Sequence, residues 1–379
     1  MIHRSLRLLR PGAIAALLLL SACSKPSDTI KIGEYASITG KEASLGQSSH
    51  RGTLLAVETI NAAGGILGKQ IELITEDTQS KAGESGTAVR KLISRDKVVA
   101  LLGEVASSRS LEGAPIAQAA KIPMVSPAST NPQVTEVGDY IFRVCFIDPF
   151  QGPVMAKFAL HSLKAKRIGL MVSASSAYSV GLAKFFKEAY TAGGGTIVAE
   201  QKYQEGDKDF KAQLTAIRAA GVDAIFNPGY YNEGALMVKQ ARDLGITVPM
   251  FGADSWEAGA LIELGGKAIE GAFLCSHYSP DDPSPRVQEF VEAYKKRWGG
   301  ATPDSNASLG YDSVLVLADA IQRAGSTEPA KIRDALAATR DFAAVTGTIT
   351  IDEKRDASKN AVIVTVKDGR FQFVESIAP

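Results

Sequence analysis

The feature that most constrains this chain is a regular alternation of short apolar runs with amphipathic helical patterns, played out twice along its length. Strand-like runs at 30–33, 70–75, 98–103 and 123–125 are separated by helical patterns near 46–63, 83–95 and 108–120. After Cys145 the alternation restarts, with helices near 153–163, 181–192, 210–220 and 233–244 interleaved with strands at 167–172, 196–199, 222–226 and 248–251. Strands separated by helices call for parallel sheets covered on both faces, because each helix carries the chain back to the end of the sheet at which the previous strand began. The 379 residues are also too many for one hydrophobic core. The expected fold class is therefore α/β, with two doubly wound parallel-sheet lobes. The tail differs: two long helices, near 286–298 and 309–324, suggest that the chain goes back to complete the first lobe. Runs at 360–366 and 371–374 flank Asp368-Gly369, a strong hairpin signal.

The first twenty-odd residues read as an export signal. Arg4, Arg7 and Arg10 precede the unbroken apolar stretch 13–20, and Leu20-Ser21-Ala22-Cys23 follows at once. Eight apolar residues are far fewer than the ~20 a helix needs to cross a bilayer. The tetrad resembles the bacterial lipobox, which implies cleavage before Cys23 and lipid on its thiol; an ordinary signal peptide with an incidental cysteine is the alternative. Removing the three arginines from 42 basic residues leaves 39 against 41 acidic ones. That near balance argues against a nucleic-acid-binding face. Cys145 and Cys275 both sit in apolar runs, where a free cysteine is usually a small buried hydrophobe.

Catalytic signatures are missing. Gly64-Gly65-Ile66-Leu67-Gly68-Lys69 lacks phosphate-loop spacing, because Ala63 and Gln70 stand where that motif needs glycine and a hydroxyl residue, so it reads as a helix stop and turn. Gly193-Gly194-Gly195 follows a helix and reads as its cap. His50, His161 and His277 show no ligand spacing, so no metal and no cofactor is expected. Polar residues instead cluster just after the expected strands: Ser107 and Ser108, the 126–131 segment, 173–178, Tyr230 and Tyr231, and Asp254 to Trp256. In an open α/β sheet these loops line the binding crevice. Any one of them could equally be a helix cap or turn former.

Several segments carry a specific resemblance: Ile38-Thr39-Gly40, the 60–68 segment, the 126–132 segment, Phe142-Arg143-Val144, Gln151-Gly152, Tyr178 with Gly181, Phe251-Gly252-Ala253-Asp254 and Gly310-Tyr311-Asp312. In this order the chain resembles the type I periplasmic solute-binding proteins of ABC importers, in particular the leucine/isoleucine/valine-binding family, over 29–374. The resemblance implies two lobes joined by a three-crossover hinge. The expected division is a signal at 1–22, a tether at 23–29, lobe 1 from 30–145 plus 277–347, and lobe 2 from 146–276 plus 348–379. Cys145 and Cys275 would fall at two crossings, either bonded or, as favoured, reduced.

By the same resemblance Ser107, Thr130 and the backbone at Ala128 and Ser129 would hold an α-carboxylate. Asp254 would receive the α-ammonium, and Tyr178 and Tyr230 would close over the ligand. Leu45 and Asn306 fall where the family often places aromatics, and Glu104 and Arg109 bracket Ser107. Arg109 reads as a solvent-facing helix residue. The implied protein is no enzyme but a monomeric lipoprotein facing the periplasm or cell exterior. It would capture a branched-chain or related amino acid and pass it to the permease and ATPase subunits of an ABC importer. A receptor for another small carboxylate or amide, and a secreted enzyme using the same cleft, are the alternatives.

Overall fold

The computed structural model describes Met1 and residues 29–377; the export signal and Cys23 lie outside the described residues. The first lobe runs β1 (Ile30–Ala36), α1 (Ala43–Ala62), β2 (Ile71–Asp77), α2 (Glu84–Lys91), β3 (Ala100–Leu102), α3 (Ser107–Ala120), β4 (Met124–Ser126), α4 (Gln133–Glu136) and β5 (Ile141–Arg143). Its sheet has the order β2-β1-β3-β4-β5, every pair parallel. The order reverses beside β1, so the loops after β1 and β3 diverge and leave a crevice at their carboxyl ends.

The second lobe runs α5 (Asp148–Lys157), β6 (Arg167–Ser173), α6 (Ala177–Ala192), β7 (Thr196–Tyr203), α7 (Lys211–Ala219), β8 (Ala224–Phe226), α8 (Tyr231–Asp243), β9 (Met250–Phe251), a three-residue 3-10 turn Asp254–Trp256, α9 (Gly259–Gly265) and β10 (Phe273–Ser276). Helices α10 (Pro285–Arg297), α11 (Ser305–Ala324) and α12 (Pro329–Ala337) follow. Then come β11 (Phe342–Ala344), β12 (Gly347–Ile351), β13 (Ala357–Ser358), β14 (Ala361–Lys367) and β15 (Arg370–Ile377). The second sheet has the order β15-β14-β10-β9-β8-β6-β7. It is parallel from β7 to β10 and finishes with the antiparallel β14-β15 hairpin. Asp368 and Gly369 both take positive φ, 53° and 66°, the backbone a tight hairpin turn requires.

Helix α11 packs along α1 and so belongs with the first lobe. The approach is close because a Cβ at Gly52 would run into the Ala307 carbonyl, and one at Gly310 into the Ser49 carbonyl. The chain thus leaves the first lobe after β5, returns after β10 and leaves again before β14. Buried charges sit at these crossings. Arg143 is fully buried; its Nε is 2.7 Å from Asp356 Oδ1, and its guanidinium donates to the Asn131 carbonyl at 2.9 Å, to Thr135 Oγ1 at 3.1 Å and to the Ser129 carbonyl. Lys359 donates to the Val144 carbonyl at 3.4 Å and to Thr346 Oγ1, and burial pushes its ammonium down to about 8. Cys145 and Cys275 are free and buried, so the bonded alternative is not realised.

One expectation is corrected. Arg109 is not solvent-facing but 5% exposed, paired with Glu42 at 3.3 Å and Glu112 at 3.0 Å and donating to the Ser80 carbonyl at 3.1 Å. The reason is that α3 packs against the loops after β1 and β2, where the buried Glu42 needs a counter-charge. Glu104 anchors the same region, taking hydrogen bonds from Ser37 Oγ at 2.6 Å and the Ala106 N–H at 2.8 Å. Burial, with the charge of Glu42 adding, pushes its carboxyl up to about 7.

Candidate functional site

A small pocket with about 20 Å³ of free space lies between the lobes, lined by Leu45, Val105, Ala128, Tyr178, Tyr230, Asp254, Ser255, His277, Ser305 and Asn306. Leu45, Val105, Ala128, Tyr178, Tyr230, Asp254 and His277 lie in the segments that follow β1, β3, β4, β6, β8, β9 and β10, and Ser305 and Asn306 open α11. The geometry of two facing doubly wound sheets therefore converges on one spot. The lobes also touch around it: Tyr231 Oη donates to the Lys41 carbonyl at 2.9 Å, Asn131 Nδ2 donates to the Ala177 carbonyl at 2.8 Å, and Lys41 pairs with Glu205.

Asp254 is the charged centre. Its Oδ1 accepts from Tyr178 Oη at 2.5 Å and Gln151 Nε2 at 2.8 Å, and its Oδ2 lies 3.3 Å from His277 Nε2. Burial alone would raise this carboxyl, but the hydrogen bonds from His277, Tyr178 and Gln151 outweigh it and hold it below the usual carboxylate range. Burial pushes His277 down to about 4. At neutral pH the pair is accordingly a carboxylate beside an uncharged imidazole, whose ring stacks on Phe146 at 3.7 Å. The alternative reading of Asp254 as a helix cap fails on geometry, because the N-cap of α9 is Ala258 and no side chain caps that helix.

Six of the nine ligand-binding residues expected from sequence, Leu45, Ala128, Tyr178, Tyr230, Asp254 and Asn306, meet in the lining. Ser107, Ser129 and Thr130 are not brought to it. Ser107 Oγ accepts from the Asn131 N–H at 3.2 Å; Ser129 donates its N–H to Ser126 Oγ at 3.0 Å and its hydroxyl to the Glu104 carbonyl at 2.8 Å. Thr130 is fully buried. The sequence reading missed Gln151 as a partner of Asp254, and it missed His277 and Ser255 as lining residues; Ser255 Oγ donates to the Gly229 carbonyl at 2.7 Å and lies 3.0 Å from the Tyr178 hydroxyl oxygen. The available signal was that Ser255 adjoins Asp254 and that His277 directly follows a strand.

Behind Asp254, Asp148 opens α5, fully buried, with neither oxygen in a well-formed hydrogen bond. Burial, with the charge of Asp254 adding, pushes its carboxyl up to about 8. The fold thus keeps a proton that the unfolded chain releases above about pH 4. Stability contributed here is lost progressively as pH rises towards 8. Asp148→Asn cannot ionise, so its melting temperature should rise relative to wild type between pH 5 and pH 8 and hold that difference at pH 9. Thermal melts across this range check it; a constant difference would show that Asp148 is already ionised at pH 5.

Two α/β lobes closing on one shared polar pocket define a cleft-type solute receptor. The chain belongs to the periplasmic binding protein family, whose model matches residues 29–370. It is 42% identical to a leucine-binding protein, LivK, from Thermotoga maritima, with a TM-score of 0.90 over 93% of this chain and 99% of that one. The branched-chain amino acid transporter substrate-binding protein LivJ from Streptococcus pneumoniae, solved with isoleucine, is 34% identical, with a TM-score of 0.88 over 93% and 100% of the two chains. A leucine-, isoleucine-, valine-, threonine- and alanine-binding protein from Pseudomonas aeruginosa is 30% identical over 352 residues, 92% of this chain and 93% of the relative.

Proposed function

We propose that this chain is the substrate-binding component of an ABC importer, taking a branched-chain or related α-amino acid between its lobes and delivering it unchanged to the permease. The observation that carries the reading is the ionised, nearly buried carboxylate of Asp254 in the pocket lining. A desolvated ammonium needs such a counter-charge, and a ligand without one would leave the carboxylate unmatched. Tyr178 and Tyr230 would shield the ammonium from the second lobe. The carboxylate would meet backbone N–H groups at Val105, near the start of α3, and at Ala128, in the loop after β4, with Ser107 and Ser129 fixing these loops from behind. Leu45 and Asn306 would face the side chain. The names of the relatives, which bind leucine, isoleucine, valine, threonine or alanine, point to the same ligand class.

The test is a thermal-shift series with L-leucine, L-isoleucine, L-valine, L-threonine and L-alanine against 4-methylpentanoate, which keeps the leucine skeleton and lacks the amine. A ligand at ~100 times its dissociation constant stabilises by ~2.7 kcal/mol. At least one amino acid should shift the melt and be recovered unchanged, while 4-methylpentanoate should not; the reverse pattern would assign the pocket to simple carboxylates, and chemical conversion would assign it to an enzyme.

Lipid on Cys23 would hold the receptor at the bacterial membrane, a reading that rests on the 20–23 tetrad and the arginine-rich start. Cys23→Ser should move the protein from the membrane to the soluble fraction. Unchanged fractionation would refute the anchor.

A further inference from the structure

The turn that presents Asp254 to the pocket presents a second acid to the opposite lobe. Glu257 follows the 254–256 turn directly, its N–H bonded to the Asp254 carbonyl at 3.0 Å. It belongs to the second lobe, since the flanking α9 packs on α8. Its carboxyl group nevertheless reaches across and seats on the first turn of α11, in the first lobe. Oε1 accepts the Ser305 N–H at 3.1 Å and Oε2 accepts the Ser305 hydroxyl at 2.6 Å. The Glu257 carbonyl accepts Asn306 Nδ2 at 3.2 Å. Glu257 is only 3% exposed, and the two residues it grips, Ser305 and Asn306, both line the pocket.

We propose that Glu257 is a positioning residue that couples closure of the lobes to the shape of the pocket. Two physical facts support the role. The Glu257 carboxyl takes up the Ser305 N–H, one of the unpaired donors at the start of a 20-residue helix, and it is held there by hydrogen bonding and not by charge, because burial and the nearby charge of Asp304 push it up to about 8. The bonds also join residues of different lobes, so opening the cleft breaks them and exposes both partners to water, and they stabilise the closed form alone. The 254–256 turn is therefore read from both sides: Asp254 faces the bound solute, and Glu257 fixes the wall on which Asn306 stands. Asp304 holds that wall from within the first lobe, accepting the Ala307 N–H at 3.0 Å and the Ser48 hydroxyl. Release of solute then requires the Glu257 contacts to break, so the effect belongs to the dissociation rate.

The solute half of this inference rests on the amino-acid reading above, and the experiment separates the two. Glu257→Ala, Glu257→Gln and Ser305→Ala would be made in the full-length protein held in detergent. Radiolabelled L-leucine dissociation would be followed by chase, and interlobe distances without amino acid by pulsed electron resonance between labels at Thr87→Cys and Lys239→Cys. The buried native Cys145 and Cys275 leave these added thiols as the labelling sites in the described fold. Glu257→Ala should speed L-leucine release about ten-fold or more with little change in association rate. Glu257→Gln and Ser305→Ala, each keeping part of the contact, should fall between it and wild type. The distance distribution of Glu257→Ala should shift towards the open form, a readout that a purely structural loss in the second lobe would not move. Wild-type distances in Glu257→Ala would overturn the proposal whether or not L-leucine binds. If no amino acid binds, the functional reading fails, while a shifted distribution would still support the interlobe role of Glu257.

Discussion

Asp254→Asn should weaken amino-acid binding by about two to four orders of magnitude while leaving the melting temperature of the ligand-free protein nearly unchanged. Asparagine keeps the size of the side chain and an acceptor for Tyr178 or Gln151, which now bond to Oδ1 at 2.5 and 2.8 Å. What it removes is the charge. A buried ammonium left without its counter-charge typically costs ~3 to 5 kcal/mol, and each decade of affinity is worth ~1.4 kcal/mol. His277 cannot supply the missing negative charge, because its imidazole is neutral at physiological pH and cationic only in acid, and its ring stacks on Phe146. Calorimetry with the best amino acid from the thermal-shift series checks the expectation. Near-equal affinities for wild type and variant would mean that the ligand carries no ammonium or that another residue receives it.

The largest stability effect is expected at the hinge. Arg143 joins three parts of the molecule: the 129–131 loop through two carbonyls, α4 through Thr135, and the returning chain through Asp356. Arg143→Met would leave Asp356 buried without its charge partner, which typically costs ~3 to 5 kcal/mol. Denaturant unfolding should show a loss of this order, and binding should weaken as well, because the freed loop carries Ala128 of the pocket. The control is the double variant Arg143→Met with Asp356→Leu. Replacing both charges with apolar groups of similar volume is often close to neutral, so part of the stability should return. If the double variant is no more stable than the single one, the contribution of Arg143 lies in its carbonyl contacts and not in the ion pair.

Much of this molecule is legible in its sequence. The alternation of apolar runs and helical patterns is a local property of the chain, and a crossover between parallel strands leaves few topologies open. Asp368-Gly369 announced its hairpin for the same reason: positive φ is a property of two neighbouring residues. The pocket was partly legible too, because loops at the carboxyl ends of strands face the crevice wherever the sheet lies. Tyr178, Tyr230 and Asp254 could be singled out from that rule and the family resemblance.

Other features depended on distances in sequence that no local pattern encodes. Arg109 reads as an exposed helix residue, yet it is buried against Glu42, 67 positions away. His277 reads as an isolated histidine until β10 sets it beside Asp254. Gln151 could be recognised as part of a resemblance, but its bond to a carboxylate 103 positions on could not. Ser107, Ser129 and Thr130 are the expected residue types in loops at the expected end of the sheet, and only packing drew Ser107 to Asn131 and Ser129 to Glu104 and buried Thr130 away from the pocket lining. Periodicity and turn chemistry determined the elements and their order, because those energies are settled among neighbours in the chain. Which polar groups are desolvated, paired or left facing the cleft was decided by tertiary structure, because that balance depends on what the rest of the fold removes from water.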